Sequence, residues 1–131
     1  MSQENVEIVR RIYEAQRSGD FAAAFALIDP EVECHVAFRP DKRLFHGHDG
    51  VAEATRTWIG AWEGFQSLIE EMIDAGDHVI CVEQQSGRGK GSGVPLEQQI
   101  FAVFKVRDGK AVRMAWFFER SEALEAAGLS E

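Results

Sequence analysis

The helical periodicity of this chain lies almost entirely before Trp62, and the strand periodicity almost entirely after Phe65. Helices and strands kept in separate halves pack as an α+β domain, with helices on one face of a mostly antiparallel sheet, because a parallel sheet needs alternating βαβ units. Such a sheet, strongly curved, leaves a hollow between itself and its helices. The residues expected to line that hollow are aromatic and poor in charge. They point to a small apolar ligand more firmly than to any reaction.

Val6, Val9, Ile12 and Tyr13 fall at helical spacing between Asn5 and Ser18, with Glu7, Arg10, Arg11 and Glu14 on the other side. Ser18 and Gly19 end this helix, and Asp20 is placed to cap a second one whose apolar face is Phe21, Ala24, Phe25 and Ile28, stopped by Asp29 and Pro30. EVECHVAF alternates Val32, Cys34, Val36 and Phe38 against Glu33, His35 and Ala37, which predicts a strand. RPDKRLFHGHDG has the composition of a loop. The helical period returns in HDGVAEATRTWIGAW, with Val51, Thr55, Trp58 and Trp62 on one stripe.

Four strands are then expected, at 65–74, 78–87, 96–106 and 111–119, joined by turns that carry Gly76, the run GRGKGSG, and Asp108 with Gly109. A short helix, SEALEAAG, closes the chain at Gly128. GRGKGSG fails as a phosphate loop, because Lys90 precedes Gly91 and a strand follows instead of a helix; a hairpin loop fits better.

At 131 residues the chain is expected to be one domain, 1–131, with enough length to bury a core. A net charge of -8, with the fourteen Lys and Arg scattered, argues against nucleic acid and anionic membrane surfaces as partners. The polar, acidic start SQENVEI has neither the basic nor the apolar segment of a signal peptide, so a cytoplasmic location is expected. Cys34 and Cys81 each sit in an apolar strand pattern, where a reduced buried thiol is the default.

The element order, with IYEAQRSGDFAAAFALIDPEVE near the start and FKVRDGKAVRMAWFFERSEALEAAG near the end, resembles the nuclear transport factor 2-like superfamily and, within it, the SnoaL-like proteins. The RSGD turn, DPEVE, FHGHDGV and the RDGKAV hairpin carry the likeness, which spans nearly the whole chain. The resemblance implies a cone: three N-terminal helices packed on a strongly curved, mostly antiparallel sheet, with a short C-terminal helix and an apolar cavity. It implies a homodimer through the outer sheet face. It also implies one of two roles: cofactor-free isomerase, cyclase or hydrolase chemistry, or a binding or protein-interaction module without chemistry.

Proton transfer beside a carbonyl takes a base in an apolar pocket and a donor aimed at the developing oxyanion. By resemblance Tyr13 stands where steroid isomerases carry a phenol donor; its other reading is a helix aromatic whose hydroxyl has one buried partner. The family's base would be carried over onto Cys34 and its acidic oxyanion partner onto Ala102, and neither residue is an acid. The remaining acid and base candidates are His35, Glu83 and Glu119. Alternation turns His35 away from Cys34, groups Glu83 with Val79 and Cys81, and turns Glu119 away from Met114, Trp116 and Phe118, leaving it placed to cap the last helix.

The expected ligand wall is collective. Trp58 and Trp62 face Ile100, Ala102 and Phe104 on one strand and Met114, Trp116 and Phe118 on the next, with Cys34 beside them and Gln98 placed to orient a ligand oxygen. A filled core is the competing reading of the same stripe. His35, His46 and His48 lack metal-ligand spacing, so no metal and no cofactor is expected.

Overall fold

The computed structural model describes residues 2–36 and 44–129, and within them four helices and six strands follow one another. Helix α1 (Ser2–Ser18) buries Val9 and Ile12 and ends where Gly19 turns to φ +80°. Asp20 caps α2 (Phe21–Ala26), its carboxylate accepting the Ala23 N–H at 3.1 Å.

Here the first correction falls. Helix α2 stops at Ala26, Phe21 is 60% exposed, and Ile28, Asp29 and Pro30 already belong to strand β1 (Ile28–Val36). Pro30 is tolerated because the ladder between β1 and its neighbour is interrupted between Ile28 and Glu33, so no N–H is required of it. The expected strand positions Ala37 and Phe38 lie outside the described residues.

The second correction is strand β2 (Leu44–His46), inside the segment expected to be a loop. It pairs antiparallel with β1, Cys34 opposite Phe45, and is too short to show alternation in sequence. Helix α3 (Gly47–Gly60) starts on Gly47 at φ +74°, where a Cβ would stand 3.2 Å from the Pro30 carbonyl oxygen. The third correction concerns Trp62. The helix ends at Gly60, and Trp62 opens β3 (Trp62–Ala75) instead of continuing the helical stripe.

Strands β4 (His78–Gly89), β5 (Pro95–Arg107) and β6 (Lys110–Phe117) precede α4 (Arg120–Ala126). Asp108 and Gly109, both at positive φ, make the two-residue turn between β5 and β6. The sheet order is β2-β1-β6-β5-β4-β3, with β1 and β6 parallel and every other pair antiparallel. Register slips at Glu63/Gln66 and Ile69/Glu71 bend β3 and help curve the sheet over α1 and α3.

The main core fills the closed part of that curve, with Val9, Ile12, Cys34, Val51, Cys81 and Phe104 among its members. A second cluster lies on the outer face, where α4 sets Ala123 and Ala127 over Ile80, Val82, Phe101 and Val103. No described helix is long and apolar enough to cross a membrane.

Candidate functional site: a buried carboxylate in an apolar cavity

Between α1, α3 and the inner sheet face lies a cavity of about 640 Å³. Phe65, Ile100, Phe104, Met114 and Trp116 form its sheet side, α3 contributes Trp58 together with the small side chains Ala54 and Thr55, and Ala61 follows at the helix end. Gln16 and Arg17, at the end of α1, also border it.

Among the described residues, one acid faces this space. Inward alternation along β4 runs Val79, Cys81, Glu83, Gln85, and all four are buried, Glu83 at 4% exposure. A buried carboxylate needs hydrogen-bond donors, and Glu83 has them. The Tyr13 hydroxyl donates to its Oε2. Ser67 Oγ and Gln85 Nε2 both donate to Oε1, each at 2.9 Å.

Gln85 is itself oriented from above. Trp58 Nε1, which can only donate, reaches Gln85 Oε1 at 2.8 Å, so the Gln85 amide must turn its NH₂ to Glu83. An ionised carboxylate offers about four acceptor sites. Two donors occupy Oε1 and one occupies Oε2, which leaves Oε2 able to accept from a ligand.

Burial, and then the negative charge of Glu83, raise the Tyr13 hydroxyl well above the ordinary phenol range. The phenol therefore stays protonated and remains the donor. Its ring is held edge-on to Phe104, centroids 5.7 Å apart. Among the described residues, no Lys, Arg or His forms an ion pair with Glu83.

Of the residues picked out in the sequence, the cavity brings together Tyr13, Glu83, Trp58, Ile100, Phe104, Met114 and Trp116. Cys34 and Ala102 do not reach it: both are fully packed in the core, and burial pushes the Cys34 thiol up to about 12. Trp62 packs edge-on to Trp58, centroids 5.5 Å apart, outside the cavity lining, and its buried Nε1 has no hydrogen-bond partner among the described residues. Gln98 is half-buried opposite Gln85 in the β4–β5 register and is not part of the lining, and Phe118 lies beyond the end of β6, 37% exposed.

His35 is half-buried and absent from the lining, as its strand parity requires. Glu119 occupies the cap position of α4, where its carbonyl accepts the Ala123 N–H at 3.3 Å while its side chain makes no capping bond. His46 faces Glu31 at 3.0 Å, and His48 Nε2 donates to the Ile28 carbonyl at 2.7 Å while its ring lies against Phe25. The first three residues of GRGKGSG end β4 and the rest make the β4–β5 turn, with Gly89 N–H bonded to the Val94 carbonyl at 2.8 Å.

Sequence reasoning missed Gln85 and Ser67. The parity that grouped Glu83 with Cys81 continues to Gln85, so that residue was legible. Ser67 stands opposite Gln85 across the β3–β4 pair, and the bulges that set that register leave no mark in the alternation.

A bent sheet closed over helices around an oily hollow is the architecture of the NTF2-like proteins. Residues 9–114 match the SnoaL-like domain, and the chain belongs to that family. No curated protein sequence matches it. An NTF2-like protein from Burkholderia thailandensis is 28% identical, with a TM-score of 0.77 over 90% of this chain and 95% of that one. A putative SnoaL-like polyketide cyclase from Jannaschia sp. is 16% identical, with a TM-score of 0.79 over 99% of this chain and 95% of that one. A protein of ketosteroid isomerase-like fold from Catenulispora acidiphila, in complex with trimethylamine, is 19% identical, with a TM-score of 0.71 over 94% of this chain and 93% of that one.

Proposed function

We propose that this chain binds a small, largely apolar molecule in the cavity and takes a proton from it, with Glu83 Oε2 as the base and Tyr13 as the neighbouring donor. The observation that carries the reading is the Glu83 carboxylate on the apolar wall, 4% exposed and held by three neutral donors with an acceptor site left over. A base in such a site is desolvated and fixed, which is what proton abstraction beside a carbonyl needs. The C–H proton moves to Oε2, and the electron pair moves onto the substrate oxygen. A neutral Glu83 carboxyl no longer needs the Tyr13 donor, so the phenol O–H is released to turn toward that oxygen. Return of the proton to a different carbon completes an isomerisation; attack of the enolate carbon on a second carbonyl, with the proton then passing from Glu83 to the new alkoxide oxygen, completes a cyclisation and restores the carboxylate. No cofactor enters either route.

The putative polyketide cyclase and the trimethylamine complex among the structural relatives support a small-molecule site of this kind. A binding module without chemistry is the second reading, favoured by the non-acidic Cys34 and Ala102 at the carried-over positions. Solvent deuterium uptake into a panel of enolisable ketones, followed by NMR, separates the two. Wild type should exceed buffer, and Glu83→Gln should lose about 10²–10⁴-fold of the excess. Uptake at the buffer rate with wild type removes the catalytic reading. We further propose a homodimer through the outer sheet face left open by α4, centred on Leu68, which is 65% exposed beside Gln84 and Gln99. Light scattering should give a dimer for wild type and a monomer for Leu68→Arg; a monomeric wild type ends that proposal.

A further inference from the structure

The charge balance of the cavity says what kind of molecule it takes. Glu83 is hydrogen-bonded to the Tyr13 and Ser67 hydroxyls and to the Gln85 amide, which Trp58 fixes with its NH₂ toward the carboxylate. Those donors are all neutral. The buried negative charge is hydrogen-bonded but not compensated, because no cationic side chain among the described residues pairs with it.

A neutral apolar ligand would drive water off Oε2 and leave its open acceptor site empty, which costs the desolvation of that site. An anion would add like-charge repulsion at short range in a medium of low dielectric. A ligand with a positively charged nitrogen avoids both penalties. Its N–H fills the open site on Oε2, and its charge lies in a cavity whose lining includes the aromatic side chains of Tyr13, Phe65, Phe104 and Trp116, a ring type that attracts cations at its face. Arg17 borders the cavity with the opposite sign, but it is exposed and screened by solvent, whereas Glu83 is not. The net charge of -8 also favours the approach of cations over anions.

We infer that the ligand is an organic cation: an apolar body carrying a protonated tertiary amine or an equivalent cationic nitrogen, seated with that nitrogen at Glu83 Oε2. This rests on the cavity being the ligand site; the nitrogen takes the same open position on Oε2 that proton abstraction would use, so the inference deepens the binding reading of the cavity and not the proton-transfer one.

The test uses two molecules of the same shape, protonated N,N-dimethylbenzylamine and isobutylbenzene, titrated at pH 7 with tryptophan fluorescence and thermal shift as readouts. Wild type should bind the cation at least tenfold more tightly than the hydrocarbon, and Glu83→Gln should erase that preference while keeping hydrocarbon binding. Equal or reversed affinities in wild type overturn the cation inference and leave the small-molecule site standing. Binding of neither probe overturns both. A preference that survives in Glu83→Gln overturns the role of Glu83, and the wild-type comparison decides the matter alone if that variant does not fold.

Discussion

Tyr13→Phe is the most direct probe of the site, because it removes one oxygen and leaves the ring on Phe104 in place. The hydroxyl donates to an ionised, buried carboxylate, and hydrogen bonds to charged groups contribute about 1.5–3 kcal/mol. Loss of that donor strips Oε2 of its one protein partner, so the change should cost about 2 kcal/mol. For a chain of this size that is a fall of roughly 6–10 °C in melting temperature. Glu83→Gln keeps volume and an acceptor for Ser67 and Gln85, turns the Tyr13 contact neutral, and should cost about 1 kcal/mol. If the two residues act through each other, the double variant should be less destabilised than the sum by about 1–2 kcal/mol. Urea unfolding of the four proteins at one pH measures this. Additivity within about 0.3 kcal/mol would refute the claim that Tyr13 and Glu83 form one unit.

Burial pushes the Cys34 and Cys81 thiols up to about 12 from the ordinary 9.0. The folded state therefore holds their protons more tightly than the unfolded chain: the contribution is intact below pH 9 and lost as pH rises toward 12, at about 1.4 kcal/mol per pH unit for each thiol. Between pH 9 and 10.5 the wild type should lose about 4 kcal/mol more than Cys34→Ala/Cys81→Ala, and parallel urea midpoints for the two proteins would contradict this. Gly47→Ala, at φ +74° with its Cβ 3.2 Å from the Pro30 carbonyl oxygen, should cost about 2 kcal/mol or more, while Gly91→Ala, at φ +82° with nothing within 4 Å, should cost about 1. Ala54→Leu points into the cavity and should leave stability within about 1 kcal/mol while weakening ligand binding tenfold or more; Ala102→Leu, in the filled core, should cost about 1–3 kcal/mol. Thermal melts of the pair distinguish hollow from core.

Much of the fold was legible because long amphipathic elements report their own period. Helix α1, the Asp20 cap, the Asp108–Gly109 turn and strands β4 to β6 follow the residue pattern closely. What escaped was set by neighbours. Strand β2 has three residues and exists only because β1 pairs with it. Trp62 keeps the helical spacing of Trp58, yet the chain leaves the helix at Gly60 because β4 offers a strand partner, with Trp62 opposite Gly89. Of the site, the aromatic walls were legible from strand parity. The donor set was not, since Tyr13, Ser67 and Glu83 are brought together by the packing of α1 on the sheet and by the β3 bulges, neither of which a single strand encodes.

The void and the acid explain each other. Ala54 and Thr55 bring only small side chains to the cavity, so at these positions α3 does not fill the space in front of β4, and an inward β4 position that would otherwise suit valine holds a glutamate instead. Had that space been packed with aliphatic side chains, the carboxylate would carry the cost of burial with an acceptor site closed off and no compensating charge. Had the site been a plain core, Gln85 beside it would add a second amide for no gain in packing. Instead Trp58 fixes Gln85, Gln85 fixes Glu83, and Tyr13 and Ser67 complete the set, so that a charged group sits ready in a medium where it acts strongly on whatever enters. Such an arrangement costs stability in the empty protein, and under the proposed cation binding a ligand that answers the charge would recover it.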